Sequence, residues 1–163
     1  MMQTTLSRSI SQFCAVLAMA VLSTMAHAAD SMPTAEAPSA SDRLSKARIA
    51  IKAKDWKKAL AELNVAVKED PKNADAHNLY AYANRKQAQP NLPKAFEHYK
   101  IALQLDPKHK GAHEYIGEAY LMDKNPAEAE KHLATLEKLC GNKTCEEYAD
   151  LAKSLADYRV KNK

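Results

Sequence analysis

Apolar residues recur at helical spacing along most of this chain. Leu60, Leu63 and Val67 form one stripe, Phe96, Tyr99 and Leu103 a second, and Leu133 with Leu136 a third. Each follows the i, i+3/i+4, i+7 rhythm of a helix with one buried face. Tyr148, Leu151, Ala152, Leu155 and Tyr158 make a fourth stripe, from which Asp150, Lys153 and Asp157 point away. The junctions carry helix-start chemistry. Asn125-Pro126-Ala127-Glu128 reads as an N-cap, a proline at the first helical position and an acid at the third. Thr144-Cys145-Glu146-Glu147 reads as a capping box, and Pro93 suits a first turn preceded by Asn91 or Leu92. The pattern predicts helices over 42–53, 56–69, 74–88, 93–105, 109–123, 126–139 and 145–160.

The N-terminus has a different pattern. One basic residue, Arg8, and no acid precede a ten-residue apolar run from Phe13 to Leu22, which is followed by Ser23-Thr24-Met25 and Ala26-His27-Ala28. That is the order of a secretory signal, with Ala26 and Ala28 at the small −3 and −1 positions, so residues 1–28 are expected to be removed, leaving Ala29 first. Ten residues span about 15 Å, half of a bilayer's hydrocarbon core, so stable membrane insertion is not expected. Cys14 lies inside the run and not at a lipidation site. Residues 29–41 are small, polar and interrupted by Pro33 and Pro38, without apolar periodicity, and read as a flexible linker.

Composition narrows the function classes. Only 3 of 163 residues are Gly while 30 are Ala, which favours helix and leaves no phosphate-cradling glycine loop. No nucleophile motif stands out, so the chain reads as a non-enzyme without a cofactor. The net charge of +4 falls to +3 when the signal removes its single Arg. That is too weak, and too unclustered, to suggest a nucleic-acid partner. The two cysteines that remain, Cys140 and Cys145, form an even pair in an exported chain and read as a structural disulfide joining the last stripe to what precedes it.

The chain also repeats itself. Asp70-Pro71-Lys72 and Asp106-Pro107-Lys108 are 36 residues apart, and Ala59, Leu63 and Ala66 precede the first proline as Ala95, Tyr99 and Ala102 precede the second. A third copy has Ala129, Leu133 and Leu136 and ends at Gly141. Ala76-His77-Asn78 aligns with Ala112-His113-Glu114. A period near 34 marks a helix–turn–helix solenoid. With Ala47, Ala59 and Ala66, then Ala81, Ala95 and Ala102, then Gly117 and Ala129 at the small positions, the sequence resembles the tetratricopeptide repeat family over roughly residues 41–141. Leu136 departs from the pattern, and so do Arg43, Lys46 and Ala50 in the first helix, where large apolar residues are expected. Two extra residues in the second copy fall in Gln89-Pro90-Asn91-Leu92-Pro93. The expected fold is an all-α, right-handed solenoid domain over 42–163. It has three repeats, 42–73, 74–109 and 110–141, and a capping helix within 144–160 that shields the final apolar face.

The resemblance implies an interaction scaffold that binds a protein or peptide along the concave face, in the periplasm of a Gram-negative bacterium. The positions that line this face in the family are Leu44, Arg48, Ile51 and Lys52, then Asn78, Tyr82, Arg85 and Lys86, then Glu114, Glu118, Leu121 and Met122. They run from basic to acidic and apolar. The family's carboxylate clamp is matched only at Asn78, while Glu114 and Glu118 carry the wrong sign for it. A face whose charges are merely solvated would look the same. Self-association through the repeats is a further possibility. The competing class is a periplasmic redox or metal-handling accessory working through Cys140 and Cys145 or through histidines. His109 and His113 are i, i+4, but Pro107 and Gly111 place His109 in a turn, and His77 and His113 share a packing position, so no metal site is expected.

Overall fold

The computed structural model describes residues 37–163. The expected signal segment and residues 29–36 of the expected linker lie outside them. Seven helices follow in order: α1 Ala40–Lys52, α2 Trp56–Glu69, α3 Ala74–Lys86, α4 Leu92–Leu105, α5 Lys110–Met122, α6 Pro126–Cys140 and α7 Glu146–Lys161. No strand occurs among the described residues.

Side-chain caps fix where the helices begin. Asp55, Asn91 and Asn125 stand before α2, α4 and α6, and each accepts a hydrogen bond from the backbone N–H three residues on. This satisfies one of the free donors of the first turn. Pro93 and Pro126 occupy the opening positions of α4 and α6, as expected. All starts fall within two residues of expectation, and at two of them the capping differs from it. Helix α1 begins two residues early because Ser39 and Asp42 form a reciprocal capping box. The linker read as ending at 41 therefore gives way to ordered chain by Ser39. At α7 the expected capping box does not form. The Thr144 hydroxyl and N–H both donate to Asn142 Oδ1, and Cys145 becomes the N-cap without a side-chain bond. A nearer acceptor, fixed by the turn after α6, wins over Glu147.

The helices pair as hairpins: α1 with α2, α3 with α4, and α5 with α6. Helices α1, α3, α5 and α7 also touch in succession, whereas α2, α4 and α6 do not touch one another. The first row is thus drawn together and the second splayed, which gives the right-handed solenoid an inner wall built from α1, α3, α5 and α7. Alanines make the close approaches possible. Ala47, Ala59, Ala81, Ala95, Ala102, Ala112, Ala119 and Ala129 are completely buried. Leu63, Tyr99, Ile116, Leu136 and Leu151 fill the spaces between them, each contributing about 1.5–3 kcal/mol of apolar burial.

The last helix takes its place through Gly117. A Cβ there would lie 2.6 Å from Leu151 Cδ2, and Leu151 is wholly buried. Only a residue without a side chain lets α7 settle against α5. Gly141, at φ 68°, ends α6 in the left-handed conformation that glycine adopts without strain. Immediately beyond, a disulfide joins Cys140 to Cys145 across a Cα separation of 6.1 Å.

Candidate functional site

Facing residues knit the inner wall together one rung at a time. Asn78 of α3 meets Gly111 of α5, where an added Cβ would stand 3.5 Å from Asn78 Nδ2. The rings of Tyr82 and Tyr115 lie 4.6 Å apart, and Trp56 reaches the Tyr82 edge at 6.1 Å. One turn on, the Arg85 guanidinium sits 5.4 and 5.8 Å from the Tyr82 and Tyr115 ring centres, within cation–π range. It donates to Glu118 at 2.5 Å and to the Tyr99 hydroxyl at 3.3 Å. The second Glu118 oxygen accepts from Ser154 Oγ of α7 at 3.0 Å. Arg85, Tyr99, Glu118 and Ser154 therefore couple the second and third repeats and the cap.

This network changes the role of several expected groove residues. Arg85 is only 4% exposed. Burial works against its charge, but Tyr99 and Glu118 outweigh that effect and hold its pKa above the usual guanidinium value. Arg85 is built into the wall and shows only an edge to the cavity beside α7. Asn78 and Glu114 are buried as well. The reason is the same for all three: the next inner helix lies close enough to cover them. Lys52 and Lys86 remain exposed, with the Lys86 ammonium 6.0 Å from the Tyr82 ring centre. Arg48 is exposed and paired with Asp75 at 2.8 Å. Leu44 and Ile51 pack on the first core cluster, and Leu121 is buried in the third. Tyr82 and Glu118 are half-buried, and Met122 is 44% exposed.

Glu114 is the most perturbed acid. Burial, followed by the nearby charges of Glu118, Asp150 and Glu147, pushes its carboxyl up to about 8, against a smaller pull from Arg85. Burial and Glu114 also raise Tyr115 to about 12. The wall opens into a cavity of about 320 Å³ at α5 and α7, lined by apolar Leu121, Met122 and Tyr158 and by polar Arg85, Glu118, Ser154, Asp157, Lys161 and Asn162. The sequence reading treated α7 as a cover for the last hairpin and so missed Glu147, Asp150, Ser154 and Tyr158 as part of this wall. The available signal was spacing: Ser154 stands 36 residues after Glu118, about one repeat.

Histidines were missed in a second place. His77 Nδ1 lies 2.8 Å from His98 Nδ1, and His77 Nε2 lies 3.1 Å from the Pro71 carbonyl. His113 repeats this arrangement with His132 and Pro107 at the same two distances. A carbonyl only accepts, so Nε2–H of His77 and of His113 must be the donor. Their Nδ1 atoms are then bare acceptors for Nδ1–H of His98 and His132. The clue was periodic: His98 and His132 are 34 residues apart, like the repeats themselves. His109, the other member of the i, i+4 pair, caps α5 and bonds to Asp75. Among the described residues the one trio of metal-ligand types brought together is Cys140, Cys145 and Glu147, and its two sulfurs are bonded to each other. No helix among these residues is long and apolar enough to cross a membrane.

Two stacked layers of helical hairpins with buried alanines at the crossings define an α-solenoid of interaction-module type. The tetratricopeptide repeat family matches residues 44–110 and 87–142, and the chain belongs to that family. No curated protein sequence matches it. Several solved structures share the fold. The type III secretion translocator chaperone SycD of Yersinia enterocolitica is 17% identical, with a TM-score of 0.66 over 76% of this chain and 94% of that one. The TPR2B domain of yeast Sti1, in its pHsp70 complex, is 17% identical with a TM-score of 0.66, over 75% of this chain and 97% of that one. The Arabidopsis OM64 TPR domain is 21% identical with a TM-score of 0.65, over 74% and 96%.

Proposed function

We propose that this chain is a protein-interaction scaffold, exported to the periplasm of a Gram-negative bacterium, that binds an extended segment of a partner protein along its inner wall. The observation that carries the reading is the wall itself. A network of half-buried Tyr82, Tyr115 and Glu118 around buried Arg85 stands beside an open cavity lined in part by exposed Met122. Pre-organised walls of this kind bind without a large ordering cost. Membership of the tetratricopeptide repeat family supports a binding role over an enzymatic one. SycD, described as a chaperone, and Sti1 TPR2B, solved with pHsp70, support a protein or peptide as the partner class. Export is supported by the signal-like order of residues 1–28 and by the disulfide, which is at home in an oxidising compartment.

Affinity capture from the native envelope tests binding, with Tyr82→Ala and Lys52→Glu/Lys86→Glu beside the unaltered chain. Loss of the captured partner in Tyr82→Ala, and salt-sensitive slowing in the lysine variant, are expected. Arg85→Glu is unsuitable because it breaks a buried ion pair. A partner captured equally by every variant would show that another surface is used. Intact mass of the exported protein tests the rest: a chain starting at Ala29, two mass units below the reduced form and free of bound metal, is expected. Free thiols or bound metal would favour a redox or metal-handling role.

A further inference from the structure

The inner wall holds two largely buried side chains, Asn78 and Glu114, whose oxygens take no hydrogen bond from the described residues. Asn78 Oδ1 is sealed from solvent and has no hydrogen-bond partner. Glu114, at the equivalent place one repeat later, is 7% exposed, and its carboxyl takes part in no side-chain hydrogen bond among the described residues. Its oxygens differ from that of Asn78 in keeping a little contact with solvent, so a ligand can reach them. On α5 it lies between Gly111, which faces Asn78, and Glu118, which faces Arg85. Glu147 and Asp150 add their charges from α7. The cation that faces this group, Arg85, is committed to Glu118, Tyr99 and two tyrosine rings.

A buried carboxyl without a donor is costly, and such groups are retained where something else supplies the donor. The missing component must supply N–H donors, and the like charges of Glu118, Asp150 and Glu147 favour one that is cationic.

We propose that Glu114, with Glu147 and Asp150, is the receptor for a guanidinium or ammonium group carried by the bound partner, so that the cap end of the inner wall selects a basic residue. The proposal rests on the inner-wall binding proposed above and gives that partner a chemistry. As the cation enters, Glu114 gives its proton to solvent and accepts charge-assisted hydrogen bonds as a carboxylate. The titratable and charged groups whose charges act on it are Glu118 and Tyr115 on α5, Glu147 and Asp150 on α7, and Arg85 and Tyr82 on α3. The carboxyl titrates near 8 when the site is empty. Binding at pH 7 therefore releases about one proton, and affinity should be about tenfold tighter at pH 9 than at pH 7.

The probe is acetylated, amidated tetra-arginine, with tetra-glutamate as control. It is titrated calorimetrically into the full exported chain in buffers of different ionisation heat, while the Glu114 carboxyl carbon is followed by NMR. The expected result is binding of tetra-arginine alone, proton release at pH 7, and movement of the Glu114 resonance to its ionised position. Glu114→Gln keeps the shape and should bind about tenfold or more weakly, without the pH dependence. If that variant fails to fold, Asp150→Asn, at an exposed position, should reduce affinity and lower the Glu114 titration point. An unmoved Glu114 resonance, equal binding by Glu114→Gln, or no binding of tetra-arginine overturns the proposal. A captured partner lost by Tyr82→Ala but held fully by Glu114→Gln overturns it while leaving inner-wall binding intact. A partner indifferent to both overturns the wall reading itself.

Discussion

The stability of this solenoid should carry two opposed pH dependences that nearly cancel, and single substitutions should expose each. The first comes from the histidine pairs. Burial, then the partner histidine, lowers His98 and His132 from 6.5 to about 4. A histidine whose folded pKa is depressed contributes stability that is complete above its unfolded pKa and is lost as pH falls through 6.5 toward 4. Over pH 7 to 5 the loss is about 2 kcal/mol for each, or about 3–4 kcal/mol for both. The second comes from Glu114, an acid whose folded pKa is raised from 4.5 to about 8. The folded state holds a proton that the unfolded chain releases, so stability rises as pH falls from about 8 toward 4.5. Over the same two pH units the gain is about 2–3 kcal/mol. The unaltered protein should thus show a melting temperature that moves only a few degrees between pH 7 and 5. In Glu114→Gln the histidine term stands alone. At about 4 °C per kcal/mol the melting temperature should fall by roughly 12–15 °C over that interval. His98→Asn/His132→Asn, which keeps a donor near Nδ1, should show the reverse, a melting temperature that rises on acidification. Differential scanning calorimetry at half-unit pH steps reads both. A flat profile in Glu114→Gln would refute the assignment of the histidine pairs as neutral, hydrogen-bonded units.

Three further outcomes follow from the packing. Cys140→Ser/Cys145→Ser removes a six-residue loop constraint worth about 2 kcal/mol in the chain-entropy model, so calorimetry should show a melting temperature several degrees lower with helical circular dichroism retained. Gly117→Ala gains helix propensity but drives a methyl into Leu151, and urea unfolding should show a net loss of about 1–2 kcal/mol; an increase would mean that α7 yields freely. Arg85→Met leaves Glu118 without its buried partner and should cost about 2–4 kcal/mol in urea unfolding, most of it recovered in Arg85→Met/Glu118→Leu.

Helix number, helix type and repeat period were legible in the sequence because they depend on local quantities. Those quantities are an apolar stripe every 3.6 residues, Asn and Asp caps ahead of α2, α4 and α6, and alanines at fixed offsets from Asp70-Pro71 and Asp106-Pro107. The start of α1 was misplaced because one Ser and one Asp inside a polar stretch carry little signal until they are seen to bond to each other. The composition of the inner wall was legible too, since family positions put Tyr82, Arg85, Glu114 and Glu118 on one side of their helices. Accessibility along that wall was decided only by tertiary structure. Whether Arg85 meets solvent depends on how closely α5 approaches α3, and that distance is set by small residues on both helices, Ala81 and Ala119, which meet in one core cluster. The pairing of His77 with His98 and of His113 with His132 has the same origin. Each ring comes from a different helix, and the hydrogen bond that fixes its proton exists only once the hairpin has closed.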